Sequence, residues 1–338
     1  MIYNLTSYKS LLALSAAVCA FAFAGGVEAK AKFKTFDPPN TLEIHVIGIS
    51  NAGVIGGYYN DGSATHGFLR AVDKSFTYID PPGSQETLIY GMNNSGATVG
   101  FYDAPNGCGI CAFVRSPTGK FHDIVINNGA VAYAISDANV VVGNYEDPVT
   151  GAQPAFIRDA KGNISSFNVT GDTGGTAPLG INVHGVITGW YSNTDQVSHG
   201  FMRDTAGNIT TIDYPGSKNT HAAAINSGGT ITGYYSDGTN THGFILSADG
   251  ATFTRVDVPG NAGGTVPTCI NSSGDLAGYY AAQSGGASLG FVRTAAGKFT
   301  TINPKNSQYT MPAGINKTLT VAGATSISGL NYGFLQTR

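Results

Sequence analysis

The chain has 338 residues, of which only 12% are charged and 47 are glycine. That is about half the usual ~25% charge and about twice the usual ~7% glycine, a composition with little room for long helices. The formal net charge of −3 has no run of Lys or Arg behind it, so neither nucleic acid nor an anionic membrane surface is expected as a primary partner.

The first segment reads as a secretory signal. Lys9 precedes an apolar run from Leu11 to Ala24, and Val27, Glu28 and Ala29 supply the small-residue cleavage pattern. The run is shorter than the ~20 residues that a spanning helix needs, and no later stretch is as long, so no membrane span is expected. The expected organisation is a signal peptide over 1–29 and one exported domain over 30–338, secreted or periplasmic.

From Phe33 onward the chain repeats itself with a period of about 44 residues, the range in which repeat architectures are found. A strand-like segment recurs as FKTFD at Phe33, FTYID at Phe76, FHDIV at Phe121, ISSFN at Ile164, ITTID at Ile209, FTRVD at Phe253 and FTTIN at Phe299. We call this segment d. After each copy come segment a (GIS at Gly48, GMN at Gly91, then AIS, GIN, AIN, CIN, GIN), segment b (VIGGYY at Val54 and its relatives) and segment c (HGFLR at His66 and its relatives). Each is four to seven residues, rich in Ile, Val, Phe, Tyr and Thr, and bounded by turn clusters such as NNSG and TAAG.

Four strands repeated seven times predict an all-β fold, a seven-bladed β-propeller of four-stranded antiparallel blades. Apolar residues fall on both faces of the strands, and stacking blades around an axis covers both. The domain begins on a d segment and ends on a c segment, so the N-terminal strand Phe33 to Asp37 is expected to complete the last blade and close the ring. Membrane-barrel strands would need ~9–11 residues with strict alternation, which these segments lack.

These units resemble the HAF family of extracellular repeats, named for a His, small residue, Phe motif that stands here as HGF at His66, His199 and His242 beside GIN and GYY. The resemblance covers essentially the whole exported domain and implies secreted bacterial proteins with propeller-like repeats, without an established activity to carry over. Cys111, Pro154, Leu289 and Tyr332 replace the His in the other units.

Candidate functional residues come from loops and from departures from the repeat. The d-to-a and b-to-c connections are long and varied, as in YDAPNGCGIC and YEDPVTGAQP, whereas the a-to-b and c-to-d turns are short and uniform. Varied loops on a rigid scaffold carry recognition. On segment a, His45 and His221 share a register that elsewhere holds apolar residues, with Tyr90 and Tyr133 two residues further along that register in their own units. Trp190 and Tyr191 stand in segment b of the fourth unit. These six are the expected ligand contacts on a binding module for a glycan or a cell-surface protein, working as a monomer. The alternative is a hydrolase or lyase of an extracellular polymer, using His45, His221, Glu43 and Glu86 at the channel mouth. No triad, phosphate loop, dinucleotide motif or metal-ligand spacing is present, so no catalytic residue, metal or cofactor is assigned.

Two structural pairings are also expected. Cys108 and Cys111 form CGIC, which in an oxidising compartment reads as a disulfide, leaving Cys269 free. A c-to-d hairpin pairing Arg70 with Phe76 places His66 opposite Asp80, and the same rule places His199 opposite Asp213 and His242 opposite Asp257. The motif histidine is therefore expected to be a cross-strand partner of aspartate.

Overall fold

The structure is a computed structural model and describes residues 31–337 except 105–108, 128, 196, 261–262 and 283–285. Every element is a strand, beginning with β1 (Lys32–Phe36). Among the described residues no helix is long and apolar enough to cross a membrane.

Five four-stranded antiparallel sheets follow β1 in chain order, each from one repeat unit. The first is β2 (Glu43–Ile49), β3 (Ile55–Asn60), β4 (Thr65–Arg70) and β5 (Phe76–Ile79); the second is β6 (Thr87–Met92), β7 (Thr98–Ala104), β8 (Gly109–Arg115) and β9 (Phe121–Ile124). The third is β10 (Ala130–Ile135), β11 (Val141–Tyr145), β12 (Ala155–Arg158) and β13 (Ile164–Phe167); the fourth is β14 (Thr176–Ile181), β15 (Ile187–Ser192), β16 (Ser198–Arg203) and β17 (Ile209–Ile212). The fifth is β18 (Asn219–Ile225), β19 (Ile231–Ser236), β20 (Thr241–Leu246) and β21 (Phe253–Val256).

The remaining strands depart from the expectation of separate, purely antiparallel sheets. β22 (Thr265–Ile270), β23 (Leu276–Ala281), β24 (Ser288–Arg293) and β25 (Phe299–Ile302) join β26 (Ser307–Ile315), β27 (Val321–Ile327), β28 (Leu330–Thr337) and β1 in one mixed eight-stranded sheet. The parallel join is one residue pair, Ser288 with Tyr309. Its cause is visible in other units, where the start of a c strand touches the approach to the next a strand as isolated parallel bridges, Thr65 with Glu86 and Ile110 with Gly129. The nine-residue β26 reaches far enough to turn that bridge into a sheet contact. β1 pairs antiparallel with β28, Lys32 opposite Thr337 through Phe36 opposite Gly333.

The a strands pack side by side, β2 on β6, β6 on β10, and so on to β26, which packs on β2. This is a β-propeller of four-stranded blades with the a strands innermost. Its core repeats with the sequence: Phe68, Phe113, Phe156, Phe201, Phe244, Phe291 and Phe334, one from each c strand, are fully buried. Each lies opposite a glycine of strand b, as Phe68 opposite Gly57 and Phe244 opposite Gly233.

Those glycines have a local reason. The pairing of a with b shifts register in every unit, as between Val46 and Gly48 or between Ala222 and Ala224, leaving one extra residue on strand a. Such a bulge bends the strand and brings its carbonyl onto the facing glycine. A Cβ on Gly57 would lie 2.1 Å from the His45 carbonyl oxygen and 2.8 Å from the Phe68 ring, and one on Gly233 would lie 1.9 Å from the His221 oxygen. Only glycine fits there. The bulged position is Ile47 in the first unit, Tyr90 in the second and Tyr133 in the third.

Candidate binding site at the long-loop mouth

The a-to-b turns interlock around one end of the axis. Asn93 Oδ1 accepts from the backbone N–H of Ser95 and Ala97 in its own turn, while its Nδ2 donates to the Ser136 carbonyl in the next unit at 3.1 Å. Asn182 donates to Asn226 O at 3.4 Å, Asn226 to Asn271 O at 3.1 Å and Asn271 to Asn316 O at 3.1 Å. A second rung joins Lys317 N to Asn51 Oδ1, Asn51 N to Asn94 Oδ1 and Asn94 N to Asp137 Oδ1. These amides were legible as turn formers; their bridging of units was not. They surround a basin of about 390 Å³ floored by Ile49, Met92, Ile135 and their equivalents, and much of its polar rim is spent on these internal bonds.

The long-loop end of the axis is different, because aromatic rings gather there. His45 stacks on Tyr58 (4.7 Å, 17° between planes), and Tyr58 meets Tyr90 edge-on at 6.2 Å. Tyr90 touches Phe101 and Tyr133, each at 5.8 Å. A second arc holds His221 between Trp190 (5.0 Å) and Tyr234 (4.9 Å, 11°). Tyr279 lies beside Tyr234. All of these except His45, which is exposed, are half-buried.

Tyr58, Phe101, Tyr234 and Tyr279, the first aromatics of segment b, were missed in the sequence, where the second aromatic drew attention. Alternation explains the difference: side chains one apart point to opposite faces of a strand. The second aromatics Tyr59, Tyr191, Tyr235 and Tyr280 are buried. Tyr191 thus packs inside the blade, its hydroxyl 3.2 Å from Thr211 Oγ1.

Burial governs protonation at this mouth. It lowers the His221 pKa, leaving the sandwiched imidazole neutral at neutral pH, and it raises Tyr58 to about 12, with help from Tyr90 and Glu43. His45 Nε2 lies 2.9 Å from Glu43 Oε1. His45 and His221 are not brought together, since β2 neighbours β6 and β26 whereas β18 neighbours β14 and β22.

The motif histidines lie inside the blades. His66 Nδ1 is 3.1 Å from Asp80 Oδ2, with Nε2 3.5 Å from Asp61 Oδ2. His242 Nδ1 is 3.0 Å from Asp257 Oδ1, and its Nε2 is 3.2 Å from Asp237 Oδ2. His199 Nδ1 is 3.0 Å from Asp213 Oδ2, but its Nε2 accepts from the Asn193 amide at 3.2 Å, which places the ring proton on Nδ1. Each ring packs on the second Tyr of segment b, as His66 on Tyr59 at 5.2 Å. The histidine thus ties the b-to-c turn to the end of strand d. Asp237 is held down at about 2 by the Asn240 and Thr239 N–H groups, with His242 adding to the effect.

The expected Cys108–Cys111 bridge falls on Cys108, outside the described residues; Cys111 is buried in β8, and Cys269 is free. Among the described residues no three His, Cys, Asp or Glu side chains gather as metal ligands.

The blades and their packing define a β-propeller. Among solved structures the chain is similar to an oligogalacturonate lyase from Vibrio parahaemolyticus, at 11% identity and TM-score 0.64, covering 91% of this chain and 97% of that one. It is also similar to the β-propeller domain of the Trilobed protease from Pyrococcus furiosus, described as having an open velcro topology, at 9% identity and TM-score 0.61, covering 87% and 95%. A third is virginiamycin B lyase from Staphylococcus aureus, at 12% identity and TM-score 0.59, covering 91% and 100%. At such identities the likeness is one of fold alone. No family model matches the chain, and no curated protein matches it.

Proposed function

We propose that this chain is an exported, seven-bladed propeller of the HAF-repeat kind that binds a glycan at its long-loop mouth. Seven repeats and seven a strands packed in a circle support the blade count. The pairing of β1 with β28 supports closure by the N-terminal strand, the mixed sheet then being two blades that touch at Ser288 and Tyr309.

The observation that carries the binding reading is the pair of aromatic arcs at that mouth. Half-buried rings on rigid strands offer large contact area at little entropic cost, the property that makes Tyr and Trp binding anchors. A binding module ranks above the hydrolase or lyase reading because His45 and His221 are apart and His221 faces two rings rather than a carboxylate.

A glycan array with product analysis tests this reading. Saturable binding without new chain ends is expected, weakened about tenfold by Tyr90→Ala or Trp190→Ala, a loss of ~1.4 kcal/mol. Binding indifferent to both substitutions removes the mouth as the site, and turnover lost in His221→Ala makes the protein an enzyme.

A further inference from the structure

Over the first three units the cations are gathered on one face, which a composition cannot show. No Lys or Arg occurs from residue 35 to 69, 75 to 114 or 121 to 157. Over the first three units the cations, from Arg70 and Lys74 to Arg158 and Lys161, all sit at the c-to-d turns, on the end opposite the long loops. The guanidiniums there are used internally, as Arg70 over the Phe36 ring at 4.7 Å.

The long-loop end of the same units carries carboxylates. Several are consumed by structure, as Asp80 is by His66 and Asp103 by the Gln85 N–H. Glu86 and Glu146 are exposed, and their side-chain carboxylates have no hydrogen bond or ion pair among the described residues. Glu86 immediately precedes β6, four residues before Tyr90, and stands close enough to act on that ring's charge. Glu146 lines a cleft of about 210 Å³ with Tyr133, Tyr145 and Gln153. Tyr133 belongs both to this cleft and to the aromatic arc through Tyr90.

We infer that this sector selects a glycan bearing free amino groups, its ammonium seated against Glu146 and the Tyr133 ring and its next sugars running over Tyr90 toward Glu86 and Tyr58. The inference rests on the glycan-binding reading and adds the charge of the ligand. Tyrosine faces attract a cation through the ring quadrupole, and an unpaired carboxylate beside them supplies the opposite charge. The cleft is smaller than the ~300–1,000 Å³ of drug-sized sites, so it suits one sugar ring rather than an oligomer. A uronic acid would meet like charges with no Lys or Arg to offset them.

The test compares glucosamine oligomers, N-acetylglucosamine oligomers and a lysine-rich peptide of matched length by calorimetry, at low and high salt. The expected result is glucosamine oligomers bound about tenfold tighter than the acetylated ones, with the preference shrinking as salt rises. Glu146→Gln is expected to erase the preference while leaving the melting temperature unchanged, and Glu86→Gln to halve it or more. Equal binding of both oligomers, or a preference that survives Glu146→Gln, overturns the charge inference and leaves the glycan reading standing. Failure of every oligomer here and on the array removes the glycan reading itself. Tighter binding of the lysine peptide than of glucosamine oligomers overturns the inference in favour of a protein partner.

Discussion

Two glycines of one hairpin give a sharp test of the bulge argument. In Gly57→Ala the new Cβ would sit 2.1 Å from the His45 carbonyl oxygen and 2.8 Å from Phe68 Cζ, whereas in Gly48→Ala it meets nothing within 4 Å. Real Cβ contacts stay above ~3 Å, so Gly57→Ala must push the bulged backbone or the buried Phe68 ring by about an ångström. Overpacking costs about 1–3 kcal/mol. With backbone on one side and a fully buried ring on the other, the upper end, about 3 kcal/mol, is expected. At about 2 °C per kcal/mol for a chain of this size, the melting temperature should fall by about 6 °C. Gly48→Ala should leave it unchanged or raise it, since alanine narrows the unfolded ensemble by ~0.4–1 kcal/mol at a compatible site. The assay is thermal unfolding by circular dichroism on purified parent and variants. If the two variants melt within a degree of each other, the close approach is not what keeps glycine at this position.

Three further outcomes are expected. Burial lowers the His221 pKa, so its contribution to stability is complete above the unfolded value of ~6.5 and is lost as pH falls through the lower folded value; His221→Phe should flatten the loss of melting temperature between about pH 7.5 and 5, and equal losses in parent and variant would refute it. Burial pushes the pKa of the half-buried Cys269 thiol up to about 12, so iodoacetamide at about pH 8 should label it far more slowly in the native than in the denatured protein; equal rates in both refute the raised pKa. Removing residues 31–36 from a protein that begins at residue 31 takes away buried Phe36 and the stack of Phe33 on Phe334 at 5.1 Å; at ~3–5 kcal/mol for truncating a buried Phe the melting temperature should drop by at least about 6 °C, and a loss of only a degree or two would show that β1 adds little.

The repeat made the propeller readable, because a strand that recurs with its turns is a stronger signal than any local propensity. Hairpin pairing was readable too, since Arg70 opposite Phe76 follows from the turn between them, and the structure has that register. What escaped were the contacts that no hairpin turn sets. The bulge on strand a has no mark of its own in GIN or AIN, and the glycine of GYY answers a carbonyl from a different strand. Tyr58 and Tyr59 look alike in sequence, yet the pleat sends one to the mouth and buries the other. Charge sorting was hidden because the two cations of each of the first three units look dispersed along the chain but gather on one face in space.

The interlocked amides of the a-to-b turns bear on how such a protein can diversify. Each turn is held by its neighbour through groups that recur with the repeat, Asn226 on Asn271 and Asn271 on Asn316, so the hub is specified independently of the opposite rim. Loops at that rim can lengthen, shorten or change chemistry while the hub keeps its geometry, as the four residues between β3 and β4 and the nine between β11 and β12 already illustrate. Selection acting on recognition is thereby separated from selection acting on folding, and one scaffold can be retuned to new ligands by edits that the hub never registers.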